Sequence, residues 1–337
     1  MTIQILSTLG PSSLNKETVQ ALAKNGVSLF RVNLSHTALE DVGDVISKIQ
    51  SWTEVPICLD SEGAQVRNGF VVNGNVIYQV GDSVRIHQDN IVGDTHNISF
   101  TPESVFPQLE KNDEIAIDFN SVAFRVVEKK GDSLIAIVIQ GGGVGSNKGV
   151  VVNRPLTLDA ITTKDKAAFE IGLAMGVKNY ALSFTHCAED VRLVRNIIGE
   201  MHLISKIESI QGVLNLKNIL PLVDQILIDR GDLSREIPIA KIPFIQRSII
   251  SCAQTHGVAV CVATNLLESM IKCGSPTRAE ANDVASTLLM GANGLVLAAE
   301  TAIGDYPVEC VEMINAIIKQ FEAWSPEASF QDFISFE

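Results

Sequence analysis

LISKIESIQGVLNLKNILPLVDQILID, residues 203–229, opens on an apolar β-type run, Leu203–Ile207, and closes on another, Gln225–Asp229. Between them Ile, Val and Leu recur at helical spacing over ten or more residues. Run, helix, run is the repeating unit of a parallel sheet with crossover helices. The alternation extends from residue 155 to about 322, with further runs at Tyr180–Phe184, Val258–Ala263 and Gly294–Ala298. The first sixty residues add Gln4–Ser7, Val27–Val32 and Pro56–Asp60, separated by helical patterns near 15–25 and 38–50. Eight β/α units is the number that closes a barrel, so the chain is read as α/β, a (β/α)8 TIM barrel.

Between the third run and the fourth the character changes. Residues 64–153 carry short alternating strands punctuated by turns: Asn73-Gly74 lies between FVV and VIYQV as a hairpin signal, and Lys130-Gly131-Asp132 separates AFRVV from LIAIVI. So long an insertion is expected to be a small all-β domain of its own. The expected division is a barrel of 1–63 and 154–323, the insertion at 64–153, and a short tail, 324–337. Placed after the third strand, on the loop side of a barrel, the insertion is expected to act as a lid hinged near Gly63 and Asn153. The segment GGGVGSNKG (141–149) lacks phosphate-loop spacing and is read as a hinge returning to the barrel.

Composition narrows the function classes. With 46% hydrophobic and 19% charged residues among 337, the chain has material for a large core, which excludes disorder. Its 26 basic and 39 acidic residues give a net charge of −13, against nucleic-acid binding, and any anionic ligand must find a local positive pocket. No apolar stretch reaches the roughly 18 residues of a membrane span, and MTIQILSTLG does not read as a leader, so a cytoplasmic protein with no membrane partner is expected. The six cysteines are scattered with no CxxC pair, as reduced core thiols would be.

Barrel chemistry is built where strands end. Those ends carry Thr8; Arg31 and Asn33; Asp60 and Ser61; Ser183; Lys206 and Glu208; Arg230 and Asp232; Thr264; and Glu300. So many convergent polar groups are costly unless a ligand or metal uses them. Glu208 and Asp232 come from adjacent strands, so their carboxylates can meet and hold a hard divalent cation such as Mg2+ (or Mn2+). Lys206 projects from the same strand end, where an ammonium would stabilise charge on a transferring phosphoryl group or an enolate oxygen. A Lys–Glu–Asp ion network without metal is the alternative.

In order along the chain, STLGPSS (7–13), FRVNLSHT (30–37), LDSEGAQVRNG (59–69), VGSNKGVVV (144–152), SKIES (205–209), DRGDLSREIP (229–238), ATNLLESM (263–270), SPTRAEANDVA (275–285) and AAETAIGDYPVE (298–309) match one family. Over nearly its whole length the chain resembles pyruvate kinase. The resemblance implies a barrel with a β domain after strand three, and transfer of the phosphoryl group of phosphoenolpyruvate to ADP to give pyruvate and ATP. It implies that Lys206 steadies the phosphoryl group and that Glu208 and Asp232 bind Mg2+. It further implies that the backbone of Arg230, Gly231 and Asp232 seats the substrate carboxylate, with Thr264 near the carbon that takes up a proton. Arg31 looks like the phosphate-contacting arginine. Asn33, Ser35, Asp60 and Ser61 look like a K+ site, and His36, Arg67 and Lys148 match nucleotide positions.

The chain also differs from the family. Ala298, Ala299 and Ile303 stand where serine, glycine and lysine are usual, Asp229 where alanine is usual, and Ser234 where glycine is. If Asp229 points inward it should disfavour an anionic substrate. Glu62 replaces lysine and Gln65 stands at a position linked to monovalent-cation dependence, which leaves K+ use open. The family's C-terminal α/β domain is not matched, so its effector regulation is expected to be absent and a homodimer through the barrel is left open. Three readings stand at this point: a short pyruvate kinase; a related metal-dependent enolate enzyme acting on another phosphorylated or 2-oxo acid; and a catalytically idle ligand-binding paralogue.

Overall fold

Eight parallel strands close a barrel in chain order: Gln4–Thr8, Leu29–Asn33, Ile57–Asp60, Asn179–Leu182, His202–Ile207, Gln225–Asp229, Ala259–Ala263 and Gly294–Leu297, with the eighth pairing the first. These are barrel strands one to eight below. The computed structural model describes residues 3–131, 133–327 and 329–334.

Both faces of these strands are covered, which is why they read as nearly continuous apolar runs rather than alternating ones. Outward residues such as Ile5, Phe30, Leu59, Tyr180 and Ile226 join the helices in one large core. The helices meet them with apolar faces spaced three or four apart, Val42, Ile46 and Ile49 on Val42–Trp52 and Val191, Val194 and Ile198 on Ala188–Ile198. Helix starts are set locally: Asn15 caps Lys16–Lys24, and reciprocal capping boxes at Thr162 with Asp165 and at Thr277 with Glu280 open Thr163–Ala174 and Arg278–Leu289. Packing can be closer than a side chain allows, since a Cβ at Gly172 would lie 2.5 Å from Leu59 Cδ1.

The chain leaves the barrel after strand three through a fixed corner. Gly63 holds φ +73, and a Cβ there would lie 2.6 Å from the Ser183 carbonyl oxygen, so conformation and space both require glycine. The buried Asp165 carboxylate accepts from the Glu62 and Gly63 amides at 2.7 and 3.1 Å.

Residues 64–159 form a second compact unit. Seven of its strands close a smaller barrel: Val66–Asn68, Ser83–His87, Asn97–Thr101, Glu114–Ile117, Val122–Lys130, Ser133–Gln140 and Gly149–Val152. Its own core includes Tyr78 and Phe124 edge to face with centroids 5.1 Å apart. The unit ends at 159 rather than 153. Arg154 binds Asp113 at 2.8 Å, the Thr157 amide donates to Gln108 at 2.8 Å, and Leu156 and Leu158 pack on this core.

Two local expectations are corrected. Asn73-Gly74 does make a turn with positive φ at both residues, but Asn75–Tyr78 pairs with Gly142–Gly145 and not with the preceding FVV. That pairing, with that of Gly149–Val152 on Val66–Asn68 and Glu114–Ile117, makes GGGVGSNKG two strands and their turn, not a hinge. The tail contains a short helix, Phe330–Ile334. Val122–Lys130 and Ser133–Gln140 do pair antiparallel; Asp132 between them, and Ala328 and residues 335–337 of the tail, lie outside the described residues. All six cysteines are free thiols.

Candidate active site

Strand parity builds the mouth of the large barrel. Leu6, Leu29, Cys58, Ala181, Ile204, Leu227, Cys261 and Val296, one from each strand, form with Ala263 of strand seven a cluster separate from the helix-facing core. Side chains in a strand alternate with period two, so the residues two further on point the same way. Those are Thr8, Arg31, Asp60, Ser183, Lys206, Asp229, Ala263 and Ala298. Six of these eight are polar, so a largely polar rung lies above an apolar one that Ala263 still belongs to.

Lys206 lies at its centre, 4% exposed. Its ammonium donates to Ser183 Oγ at 3.0 Å and pairs with Glu208 Oε1 at 2.9 Å and Asp60 Oδ2 at 3.3 Å. Asp60 also takes the Arg31 guanidinium and accepts from Ser183 Oγ at 3.0 Å, while Arg31 Nη1 reaches Thr8 Oγ1 at 3.0 Å. Burial alone would lower the Lys206 pKa, yet Asp60 and Glu208 outweigh it and raise it above the ordinary lysine value. Burial alone would raise Asp60, and Arg31 and Lys206 hold it below the usual carboxylate range instead. The result is a buried ammonium and a half-buried guanidinium sharing one buried carboxylate, a concentration of positive charge inside an acidic protein.

Glu208 behaves oppositely. Burial, aided by Asp232, Asp229 and Asp60, pushes its pKa up to about 8 against the pull of Lys206. Its Oε2 accepts from the Phe184 amide at 2.7 Å. Its Oε1 is close to Lys206 in charge contact but outside hydrogen-bonding geometry, and is buried with no hydrogen-bond partner. Glu208, Asp229 and Asp232 each bring an oxygen within 4.8 Å of the others. A buried carboxylate oxygen that accepts no hydrogen bond, beside two more carboxylates, is a set of oxygens that could hold a hard divalent cation, so the residues fit the Mg2+ expected of Glu208 and Asp232. Asp232 also pairs with Arg235 at 2.8 Å.

Asp229 is the residue that the sequence left undecided. Parity turns it inward, two positions beyond Leu227, and its Oδ1 accepts from the Gly231 amide at 3.1 Å, the Asp232 amide at 3.4 Å and Thr264 Oγ1 at 2.5 Å. The amides expected to seat a substrate carboxylate are therefore engaged by a carboxylate of the chain itself. The signal was available: counting by twos from the apolar layer points at residue 229. The Arg230 side chain is taken by Asp283 at 2.6 Å and by the Thr264 carbonyl.

The other expected residues fall into three groups. Asn33 and Ser35 form a turn in which Asn33 Oδ1 accepts the Ser35 amide at 3.0 Å; Ser61 Oγ accepts from the Ser183 amide at 2.9 Å; His36 is exposed on the same loop. Arg67 and Lys148 belong to the second unit, on neighbouring segments, where Arg67 donates to the Asn147 carbonyl at 2.8 Å and Lys148 lies 3.4 Å from Asp118. Glu300 is not a free mouth carboxylate. It is buried and accepts from the Leu267 and Ala298 amides at 3.2 and 2.8 Å, a structural role.

This geometry can be set beside known proteins. Residues 1–311 match the family model described as pyruvate kinase, barrel domain. The pyruvate kinase of Methylorubrum extorquens is 35% identical, covering 95% of this chain and 68% of the relative. That of Clostridium perfringens is 33% identical, covering 95% and 70%, and that of Thermococcus litoralis 34%, covering 95% and 70%. With the family barrel matched across most of its length, and relatives of this identity aligned over more than two thirds of their own, the chain belongs to the pyruvate kinase family.

Proposed function

We propose that this pyruvate kinase-like enzyme moves the phosphoryl group of phosphoenolpyruvate to ADP, giving pyruvate and ATP. The observation that carries the reading is the Lys206 ammonium, buried and held as a cation between Asp60 and Glu208, beside an incompletely satisfied carboxylate group. In the transfer the bond from phosphorus to the enol oxygen breaks and one to a terminal ADP oxygen forms. The enolate then takes a proton at its methylene carbon. Little covalent chemistry falls to the protein, so its work is positioning and charge stabilisation.

In this reading Lys206 and Arg31 face the phosphoryl oxygens, and Thr264 lies by the substrate carbon. Arg230, Gly231 and Asp232 border the substrate, and His36, Arg67 and Lys148 bind nucleotide. Glu208 and Asp232 would hold Mg2+ or Mn2+, which when bound neutralises phosphate and enolate charge. Asn33, Ser35, Asp60 and Ser61 would offer oxygens to K+. The reaction is placed in the cytoplasm, without nucleic-acid or membrane partners, in a monomer or a homodimer through the barrel. Among the described residues no helix is long and apolar enough to cross a membrane.

Pyruvate formation from phosphoenolpyruvate and ADP with Mg2+, with and without K+, tests the reaction. Turnover is expected, and the rate with K+ against the rate without it reads whether the monovalent-cation site is used; absence of turnover at saturating substrates under both conditions would refute the transfer. Glu208→Gln tests the metal assignment separately. Titration of Mn2+ by electron paramagnetic resonance should show at least tenfold weaker binding with the fold unchanged by circular dichroism. Unchanged Mn2+ affinity would remove Glu208 from the site.

A further inference from the structure

The donors gathered at the ends of strands six and seven are rigidly built. Thr264 holds φ +78, a left-handed conformation that is a genuine outlier for a β-branched residue. Its carbonyl oxygen accepts from Arg230 Nε and Nη2 at 3.1 and 2.6 Å, and Asp283 anchors that guanidinium from the other side. A Cβ on Gly231 would lie 2.8 Å from Thr264 Cγ2, so the two segments touch. Such strain persists only where the surroundings over-determine it. The Thr264 hydroxyl and the Gly231 and Asp232 amides then converge on one atom, Asp229 Oδ1.

We propose that Asp229 is a specificity-determining residue: its carboxylate is an internal competitor for the carboxylate of the substrate. It occupies donors that a 2-oxo acid or the acid of an enol phosphate would use, and it sets a like charge beside that acid, within 4.8 Å of Glu208 and Asp232. The acid enters only by turning Asp229 off its donors. The incoming carboxylate regains those bonds, so the cost to affinity is what the displaced Asp229 loses, a charged group stripped of its donors and set beside another negative charge. The expected consequence is a raised KM for the acid substrate. This inference rests on the phosphoenolpyruvate reading, which it deepens.

The test is Asp229→Ala and Asp229→Asn, read by calorimetry of phosphoenolpyruvate binding to the Mg2+-loaded protein and by steady-state KM. The Ala variant should bind phosphoenolpyruvate at least tenfold more tightly and lower its KM in parallel, with the KM for ADP moving less than threefold. The Asn variant, which keeps an acceptor without the charge, should fall between the two. Asp229 is also the N-cap of the short helix Arg230–Glu236, and a purely structural role as that cap predicts the opposite sign, because its loss loosens the segment that binds. Unchanged or weaker binding in both variants overturns the proposal. If wild type and variants bind phosphoenolpyruvate in the expected order but form no ATP, the inference stands and the transfer reading falls. If none of them binds it, both fall.

Discussion

Lys206→Met is expected to lower pyruvate formation about a thousandfold or more, because a cation aimed at charge in flight contributes on that scale in phosphoryl transfer. The effect is large because the charge is buried and preorganised. Lys206 does not have to be desolvated or moved when substrate arrives, since Asp60, Glu208 and Ser183 already fix it. Met keeps the stem and much of the packing, and Arg31 still neutralises Asp60, so the variant should melt cooperatively. A coupled assay of pyruvate beside a thermal melt separates the two contributions. A folded variant with turnover within tenfold of wild type would show that Lys206 does not face the reacting group.

Asp60→Asn is expected to destabilise the fold by about 3–5 kcal/mol, the usual cost of removing one partner from a buried ion pair. Asp60 is fully buried and serves Arg31 and Lys206 together, so its loss takes from the buried Lys206 and the half-buried Arg31 the carboxylate they share. The pH dependence follows from the direction of its shift. Asp60 is held below its ordinary value of about 4, so its stabilisation is present above that value. It is lost as pH falls through the lower folded-state value. Urea midpoints for wild type and variant should therefore differ most near neutrality and converge in acid. A gap that stays constant down to acid unfolding would show that Asp60 charge is not what the two cations require.

How far the site was legible depends on which physical rule governed each residue. Lys206, Glu208, Asp60 and Arg31 could be found from sequence because they stand at the ends of runs whose period and number imply a barrel, and barrel mouths collect such groups. Asp229 could be located but not judged. Its residue type says only that it is acidic, whereas its effect depends on which donors lie within 3.4 Å, and one of these, Thr264, is 35 residues away. Glu300 shows the reverse case, a carboxylate with the right address whose partners turn out to be backbone amides.

The second unit was legible in character and less so in pairing. Turn residues announced Asn73-Gly74 correctly as a turn, because positive φ is a local property of Asn and Gly. Which strand then receives Asn75–Tyr78 is settled by burial of Val76 and Tyr78 in a core assembled from the whole unit, and that core brought up Gly142–Gly145. Glycines there look like a hinge from composition alone, yet they are paired strands.

By itself the amino-acid sequence determined the eight-unit barrel, the interruption after its third strand, and the identity of the charged residues at the mouth. Periodicity and residue type are local and survive without a fold. Only the tertiary structure decided that Asp60 neutralises two cations, that one Glu208 oxygen is left without a hydrogen bond, and that Asp229 fills donors a substrate would use. Those facts are distances between groups far apart in the chain, and closing the barrel is what creates them.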